Sequence, residues 1–162
     1  MSELKAGDKA PDFDLPTDTG RVRLADLKGK TVVQFFYPKD DTPGCTTESI
    51  GFSQAKDAFA EAGAVVVGVS NDTAARHRKF RVKHGLTVEL GSDADSDVIE
   101  RYGSWGEKQL YGRTYMGIDR STFLIDGEGV VRRVWRKVRV PGHVEEVLAA
   151  AQALKAGALS SL

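Results

Sequence analysis

An almost uninterrupted apolar run, Thr31–Tyr37, constrains the fold of this chain more than any other feature. Its valines and phenylalanines predict a strand buried on both faces, as in the centre of an α/β sheet. Pro38 ends the run, because proline has no backbone N–H to give to a sheet ladder. A stretch of helical pattern follows over 45–62, and Ala64–Ser70 then predicts a second buried strand. Strand, helix and strand in this order predict an α/β fold.

The segments around these strands extend the same architecture. Asp12–Pro16 and Val22–Leu24 alternate apolar and polar residues on either side of a turn, which predicts an N-terminal β-hairpin. After the second buried strand, Asn71 or Asp72 is expected to cap a helix over 73–84. Strands and helices therefore continue to alternate along the chain.

The last third of the chain predicts a second hairpin and a closing helix. Ser121–Ile125 and Val130–Val138 flank a turn, and Pro141 stands where it can open the final helix. Gly103–Gly117 is expected to be a long connecting loop, a kind of segment that is often functional. The whole pattern predicts one domain over 1–162 with a thioredoxin-like α/β fold, which has a mixed central sheet, helices on both faces and the N-terminal hairpin.

Composition excludes several classes of function. Lys plus Arg and Asp plus Glu both number 23, so the balance of charge gives no support for nucleic acid or an anionic membrane as a partner. No apolar stretch approaches the about 20 residues of a membrane span. The single cysteine excludes an intrachain disulfide framework and fits a reducing compartment. The N-terminal residues lack the apolar core of a signal peptide, so we expect a cytoplasmic protein.

The one cysteine, Cys45, stands where the loop after the first buried strand turns into the first turn of a helix. A helix N-terminus offers unpaired N–H groups and partial positive charge, which favour a thiolate. A lone cysteine is by itself most often a small buried core residue. The context Thr-Pro-Gly-Cys at a helix start makes Cys45 the first candidate for chemistry.

The neighbours of Cys45 are suited to support a reactive thiol. Thr42 is three residues earlier, so its hydroxyl can point at the sulfur or at an oxygen bound beside it. Pro38 can shield the sulfur, and Gly44 lets the backbone fold tightly. Arg120 is the best candidate for a cation, because it directly precedes the buried strand 121–125 and reaches the same pocket if that strand neighbours 31–37.

The other polar candidates receive structural interpretations. Asp40 and Asp41 are adjacent on a loop and are expected to be solvated, with no assigned role. Glu48 falls in the first helical turn, where an acid favours the helix dipole, although it is also within reach of Arg120. The histidines lack metal-ligand spacing with the cysteine and are expected on the surface, so no metal is predicted. These histidines are His77, His84 and His143.

The segment Phe36–Glu48 resembles the peroxidatic motif of peroxiredoxins, specifically of the bacterioferritin-comigratory or PrxQ subfamily. The similarity continues through Tyr102–Lys108, Tyr111–Met116 and Arg120–Asp126, and it covers essentially the whole chain. This resemblance implies thiol-dependent reduction of hydrogen peroxide and organic hydroperoxides, without a metal or an organic cofactor. It also implies a monomer.

The resemblance also implies roles for individual residues. Cys45 would attack the peroxide O–O bond and become a sulfenic acid. Thr42 would hydrogen-bond the thiolate and the peroxide, and Arg120 would hold the thiolate charge and polarise the peroxide oxygens. The backbone N–H groups of Gly44 and Cys45 would bind the peroxide and its developing negative charge.

One position departs from the subfamily pattern. Many members carry a resolving cysteine five residues after the peroxidatic one, and here that position is Ile50. With one cysteine in the chain, the sulfenic acid of Cys45 must be reduced from outside, which predicts a 1-Cys mechanism. The candidate reductants are thioredoxin, glutaredoxin, a low-molecular-weight thiol or Cys45 of a second molecule.

Two other functions remain open at this point. A thioredoxin-like disulfide oxidoreductase would need Cys-x-x-Cys, and position 48 is Glu. A redox-sensing or holdase module would use the oxidation of Cys45 as a switch. Peroxide turnover separates these from a peroxidase, because a sensor is oxidised once and an enzyme consumes many equivalents.

Overall fold

A computed structural model describes residues 4–157 of the chain. Its elements follow in the order β1 (Asp14–Thr17), β2 (Gly20–Arg23), a 3-10 turn (Leu24–Leu27), β3 (Thr31–Phe36), α1 (Pro43–Gln54), α2 (Lys56–Glu61), β4 (Ala64–Ser70), α3 (Ala74–His84), β5 (Glu89–Ser92), α4 (Val98–Arg101), β6 (Trp105–Leu110), β7 (Arg113–Ile118), β8 (Ser121–Ile125), β9 (Val131–Trp135) and α5 (His143–Lys155). None of the helices within these residues is long and apolar enough to cross a membrane.

The central sheet is mixed, with strand order β5-β4-β3-β8-β9. Strands β3, β4 and β5 run parallel, and β8 and β9 are antiparallel to their neighbours. The apolar run that dominates the sequence therefore forms the middle strand. Strands β1 and β2 form the expected N-terminal hairpin outside this sheet.

Strand β3 is buried on both faces because each face packs against its own apolar cluster. On one face, Val33 and Phe35 pack with side chains from α1, α2, α3 and α5, including Phe52 of α1. On the other face, Val32 and Phe36 pack with the N-terminal hairpin and α4. The thioredoxin-like α/β fold with helices on both faces is confirmed.

The helix expected over 45–62 is divided and begins earlier. Helix α1 starts at Pro43, because proline fits the first helical position, where an N–H is not needed. The helix ends at Gln54, and the backbone of the next residue, Ala55 (φ −90°, ψ 3°), separates it from α2. The prediction that Asn71 or Asp72 caps α3 is also wrong. Thr73 is the cap, and its hydroxyl accepts from the N–H of Arg76.

The loop expected over 103–117 is instead a β-hairpin formed by β6 and β7. Its side chains are mostly exposed on both faces, so no alternation of apolar residues marks the strands in the sequence. Tyr111 and Gly112 both have positive φ, 51° and 77°, as a type I′ turn between two strands requires.

Candidate active site

Cys45 is the third residue of α1, with Thr42 as the N-cap, and its side chain is buried. The first N–H groups of a helix have no intrahelical partner, and Pro43 has no N–H. The side chain of Thr42 makes no capping hydrogen bond to this helix end. The backbone N–H groups of Gly44 and Cys45 therefore remain as donors for an anionic or polar ligand next to the sulfur.

Arg120 lies against the sulfur because of the register between two strands. Phe36, at the end of β3, pairs with Ser121, the first residue of β8. Arg120 therefore lies at the edge of the sheet where the loop 37–42 begins, and we call this loop, which leads to Cys45, the Cys45 loop. Nη2 of Arg120 is 3.3 Å from Sγ of Cys45, and Nη1 donates to Oε1 of Glu48 at 2.6 Å.

Glu48 is part of this site through its contact with Arg120, and is not only an acid in the first turn of the helix. Its side chain is fully buried, and Oε2 has no hydrogen-bond partner among residues 4–157. Burial raises the pKa of Glu48 to about 7, outweighing Arg120, which acts to lower it. Burial also acts to lower the pKa of Arg120, but Glu48 and Cys45 outweigh it and raise that pKa. The guanidinium of Arg120 therefore interacts with two acidic groups, the thiol of Cys45 and the carboxyl of Glu48.

The loop before the helix carries the other two expected side chains. Pro38 is half-buried and lines a groove of about 600 Å³ together with Arg120 and β6. The hydroxyl of Thr42 donates to the carbonyl of Lys39 at 2.8 Å. A hydroxyl has one proton, so Thr42 in this arrangement offers only its lone pairs to a peroxide O–H.

Gly44 explains how the guanidinium comes so close to the helix end. A Cβ at this position would lie 3.2 Å from Nη2 of Arg120. Glycine therefore leaves room for the cation beside the sulfur. The structure brings together Pro38, Thr42, Gly44, Cys45 and Arg120, and it adds Glu48.

Several polar residues that were expected on the surface are buried. Asp40 is hydrogen-bonded to Tyr37 and to His77. His143 is buried with Nε2 2.8 Å from the hydroxyl of Thr122. These expectations were wrong because the partners of each residue come from other elements, which spacing along the chain does not reveal.

A buried thiol at a helix N-terminus, a cation in contact with the sulfur and two available amides define a thiol-dependent peroxidase on a thioredoxin-like fold. The sequence comparisons agree. Residues 6–134 match the AhpC/TSA family, and the chain belongs to this family.

Named relatives place the chain near the Bcp peroxiredoxins. It is 51% identical over 146 residues to a Bcp peroxiredoxin of Coxiella burnetii, covering 90% of this chain and 97% of the relative. It is 49% identical over 146 residues to the peroxiredoxin Bcp of Bacillus subtilis, covering 90% and 93%.

Solved structures give the same result. The bacterioferritin comigratory protein of Xanthomonas campestris, described for alkyl peroxide reduction, matches with a TM-score of 0.83 and 41% identity over 88% of this chain and 92% of that one. A PrxQ mutant of Xylella fastidiosa matches with a TM-score of 0.88 and 36% identity, covering 94% and 98%. The chain is a Bcp/PrxQ-type peroxiredoxin, a thiol-dependent peroxidase with a single cysteine.

Proposed function

We propose that Cys45 is the peroxidatic residue of a 1-Cys peroxidase, with Arg120, Thr42, Pro38 and the amides of Gly44 and Cys45 as its peroxide site. The contact of 3.3 Å between Nη2 of Arg120 and Sγ of Cys45 carries this proposal. A cation in contact with the sulfur favours the thiolate, which is the nucleophile.

In the first step, the Cys45 thiolate attacks the terminal oxygen of the peroxide. The S–O bond forms, the O–O bond breaks, and its electron pair leaves with the distal oxygen, which takes a proton to become water or an alcohol. The two helix amides and Arg120 face negative charge that grows on the peroxide oxygens, which is where fixed donors lower a barrier most. The product on the protein is the sulfenic acid of Cys45.

Thr42 and Pro38 have separate tasks in this scheme. Because the Thr42 hydroxyl donates to the Lys39 carbonyl, its lone pairs accept the peroxide O–H and so orient the oxygen that is attacked. Pro38 covers the same groove as Arg120 and limits the access of water to the thiolate.

The second half of the cycle uses an external thiol. One thiol condenses with the sulfenic acid, which releases water and leaves a mixed disulfide at Cys45. A second thiol attacks that disulfide and restores Cys45. The lone free cysteine supports this scheme. Thioredoxin, glutaredoxin or a low-molecular-weight thiol is the reductant, and the protein acts as a monomer formed by one domain over 1–162 in the cytoplasm.

A turnover experiment tests this function. Peroxide consumption is measured with thioredoxin, with glutaredoxin plus glutathione, and with small thiols, for the wild type and for Cys45→Ser. We expect many turnovers with at least one reductant and none for the variant. Mass spectrometry after peroxide treatment should show added oxygen or a mixed disulfide on Cys45. An intact thiol after excess peroxide contradicts the proposal, and a single oxidation without turnover supports a sensor instead.

A further inference from the structure

A buried polar network below the Cys45 loop has no part in the scheme above. Its centre is Asp40, a loop residue whose side chain is almost completely buried. Oδ1 of Asp40 accepts from the hydroxyl of Tyr37 at 2.6 Å, and Oδ2 lies 2.6 Å from Nδ1 of His77 in α3. Buried polar groups that are fully paired hold their surroundings in one arrangement.

The backbone of Asp40 is fixed by the same network. Its N–H donates to Oδ2 of Asp72 at 2.8 Å, and that oxygen also accepts from the hydroxyl of Ser70 at 2.7 Å. The other oxygen of Asp72 lies 3.1 Å from Nε of Arg76. Both the main chain and the side chain of Asp40 are therefore anchored to the β4–α3 region.

His77 is held at both ring nitrogens. Nε2 faces the carbonyl of Gly91 at 3.1 Å, and a carbonyl only accepts, so Nε2 carries a proton. Nδ1 lies 2.6 Å from Oδ2 of Asp40, which is within hydrogen-bond distance. Although Asp40, Asp72 and His77 are close enough to hold a metal ion, their polar atoms are already engaged with each other and with protein donors. The network is suited to positioning the loop.

Helix α3 also holds the next residue of the loop. Asp41 has a φ of +62°, an uncommon conformation for a residue with a side chain. Its carboxylate accepts from Nζ of Lys83 at 2.8 Å and lies 2.9 Å from Nε2 of His84. Two consecutive loop residues are thus tied to one helix.

These ties lead directly to the peroxide site. Lys39, the neighbour of Asp40, supplies the carbonyl that accepts from the hydroxyl of Thr42. Thr42 in turn accepts the first helical hydrogen bond of α1 from Thr46 at 2.8 Å. The position of Asp40 therefore sets both the direction of the Thr42 hydroxyl and the start of the helix that carries Cys45.

We propose that His77 is a positioning residue for peroxide reduction, which acts through Asp40 and Lys39 on Thr42. This proposal rests on the proposed function, since it assigns a task to the loop around Cys45. A displacement of reacting groups by about 1 Å can reduce a rate by about 100-fold. Loss of the His77–Asp40 contact should accordingly slow the oxidation of Cys45 even when the protein stays folded.

Two substitutions of His77 separate positioning from packing. The side-chain amide of His77→Asn overlaps Nδ1 and retains a donor toward Asp40, whereas the amide of His77→Gln overlaps Nε2 and retains only the contact with Gly91. We expect the second-order rate of Cys45 oxidation by peroxide to fall about 10- to 100-fold in His77→Gln and to recover most of that loss in His77→Asn.

Alkylation of Cys45 by iodoacetamide is the comparison reaction, because it requires a thiolate but not an oriented peroxide. We expect alkylation to change much less than oxidation in His77→Gln, with all rates measured well below the unfolding transition. Equal losses in both His77 variants, or equal losses in both reactions, would overturn the proposal in favour of a packing role.

A second pair of variants covers the case in which His77→Gln does not fold. In Asp40→Ser the hydroxyl is too short to reach Nδ1 of His77, while the backbone bond to Asp72 is retained. We expect the same selective loss of peroxide rate in Asp40→Ser, and much less loss in Asp40→Asn, whose amide oxygen can still accept from Nδ1 of His77. Equal losses in Asp40→Ser and Asp40→Asn would contradict the proposal. If the wild type itself does not turn over peroxide, the proposed function fails. If the wild type turns over peroxide and the variants do so at the same rate, only the positioning role fails.

Discussion

Nη2 of Arg120 lies 3.3 Å from the sulfur of Cys45, although 75 positions separate the two residues in the chain. The other terminal nitrogen of the same guanidinium donates to Glu48. The planar fork of arginine can serve two partners at once, and its charge is permanent. In the proposed mechanism, the thiolate of Cys45 and the carboxylate of Glu48 therefore compete for one cation.

Replacement of Arg120 by lysine keeps the positive charge and tests whether the two-pronged geometry of the guanidinium is needed. A single ammonium cannot contact the sulfur and Glu48 in the same geometry. We expect the rate constant for oxidation of Cys45 to fall by about 100-fold, as when one fixed donor is lost from an anion site. Stopped-flow measurement of peroxide reaction reports the rate. Arg139→Lys, at an exposed position, is the matched control and should retain the wild-type rate. Equal rates for both variants would contradict a catalytic role for Arg120.

Glu48→Gln tests the competition for the cation. Glutamine retains an oxygen that accepts from Arg120 but never carries charge. Because the pKa of Glu48 is raised to about 7, the wild-type carboxyl is mostly neutral below that pH and charged above it. We expect little change well below pH 7 and, at about pH 8, a rate of Cys45 oxidation roughly three- to ten-fold above wild type.

The rate profile and the ultraviolet absorbance of the thiolate should both be recorded across this pH range for Glu48→Gln. Glu128→Gln removes an exposed carboxylate and provides the control. If the profiles of wild type and Glu48→Gln coincide, the two acids do not compete.

The sequence predicted the parts of the fold that depend on local pattern. The apolar run 31–37 and the turn chemistry around it are local, so β3 and the start of α1 near Cys45 followed directly. Arg120 was expected in the pocket only on the condition that 121–125 neighbours 31–37, and the strand register meets that condition.

Long-range pairing could not be predicted in the same way. Asp40 and His77 are 37 positions apart, and each has the polarity typical of a surface residue. Their burial follows from the packing of α3 beside the Cys45 loop. The β6–β7 hairpin was missed for a different reason, since its exposed strands do not show the alternation that a half-buried strand requires.

Gly44→Ala tests the space that the guanidinium needs. The new Cβ would lie 3.2 Å from Nη2 of Arg120, so the cation must move by a few tenths of an ångström away from the helix end. We expect the rate of Cys45 oxidation to fall about ten-fold while the protein stays folded. Gly106→Ala adds a Cβ on the β6 wall of the same groove that meets nothing within 4 Å, so it controls for a methyl group in the groove that does not press on the guanidinium. A wild-type rate in Gly44→Ala would show that the guanidinium adjusts without cost.

Two buried groups, His143 and Glu48, should make the free energy of unfolding change with pH in opposite directions. Burial lowers the pKa of His143 from its ordinary value of 6.5 to about 4. The free energy of unfolding therefore decreases as the pH falls from 6.5 toward 4. Burial raises the pKa of Glu48 from 4.5 to about 7, so its contribution is lost as the pH rises through that range. In the shared window the two slopes oppose each other.

Single variants separate these slopes in urea unfolding between about pH 4.5 and 6.5. In His143→Gln, whose amide can still bond to Thr122, we expect the free energy of unfolding to fall with rising pH relative to wild type. In Glu48→Gln we expect it to rise, and each change should be on the order of 2 kcal/mol. If both variants follow the wild-type slope, neither group has the shifted pKa.

Gln34 offers a test of stability that is independent of the active site. It lies in the middle of β3 and is fully buried, and neither its amide nitrogen nor its oxygen has a hydrogen-bond partner in the described part of the chain. An unpaired buried amide costs about 1–3 kcal/mol, so Gln34→Leu should raise the free energy of unfolding by about 1–2 kcal/mol. Urea unfolding measures this change, with exposed Gln109→Leu as the control. A decrease in stability would mean that the amide has a partner worth more than its burial costs. Peroxidase activity should remain at the wild-type level, because Gln34 lies on the face of β3 that carries Val32 and Phe36, opposite the cluster that contains Cys45.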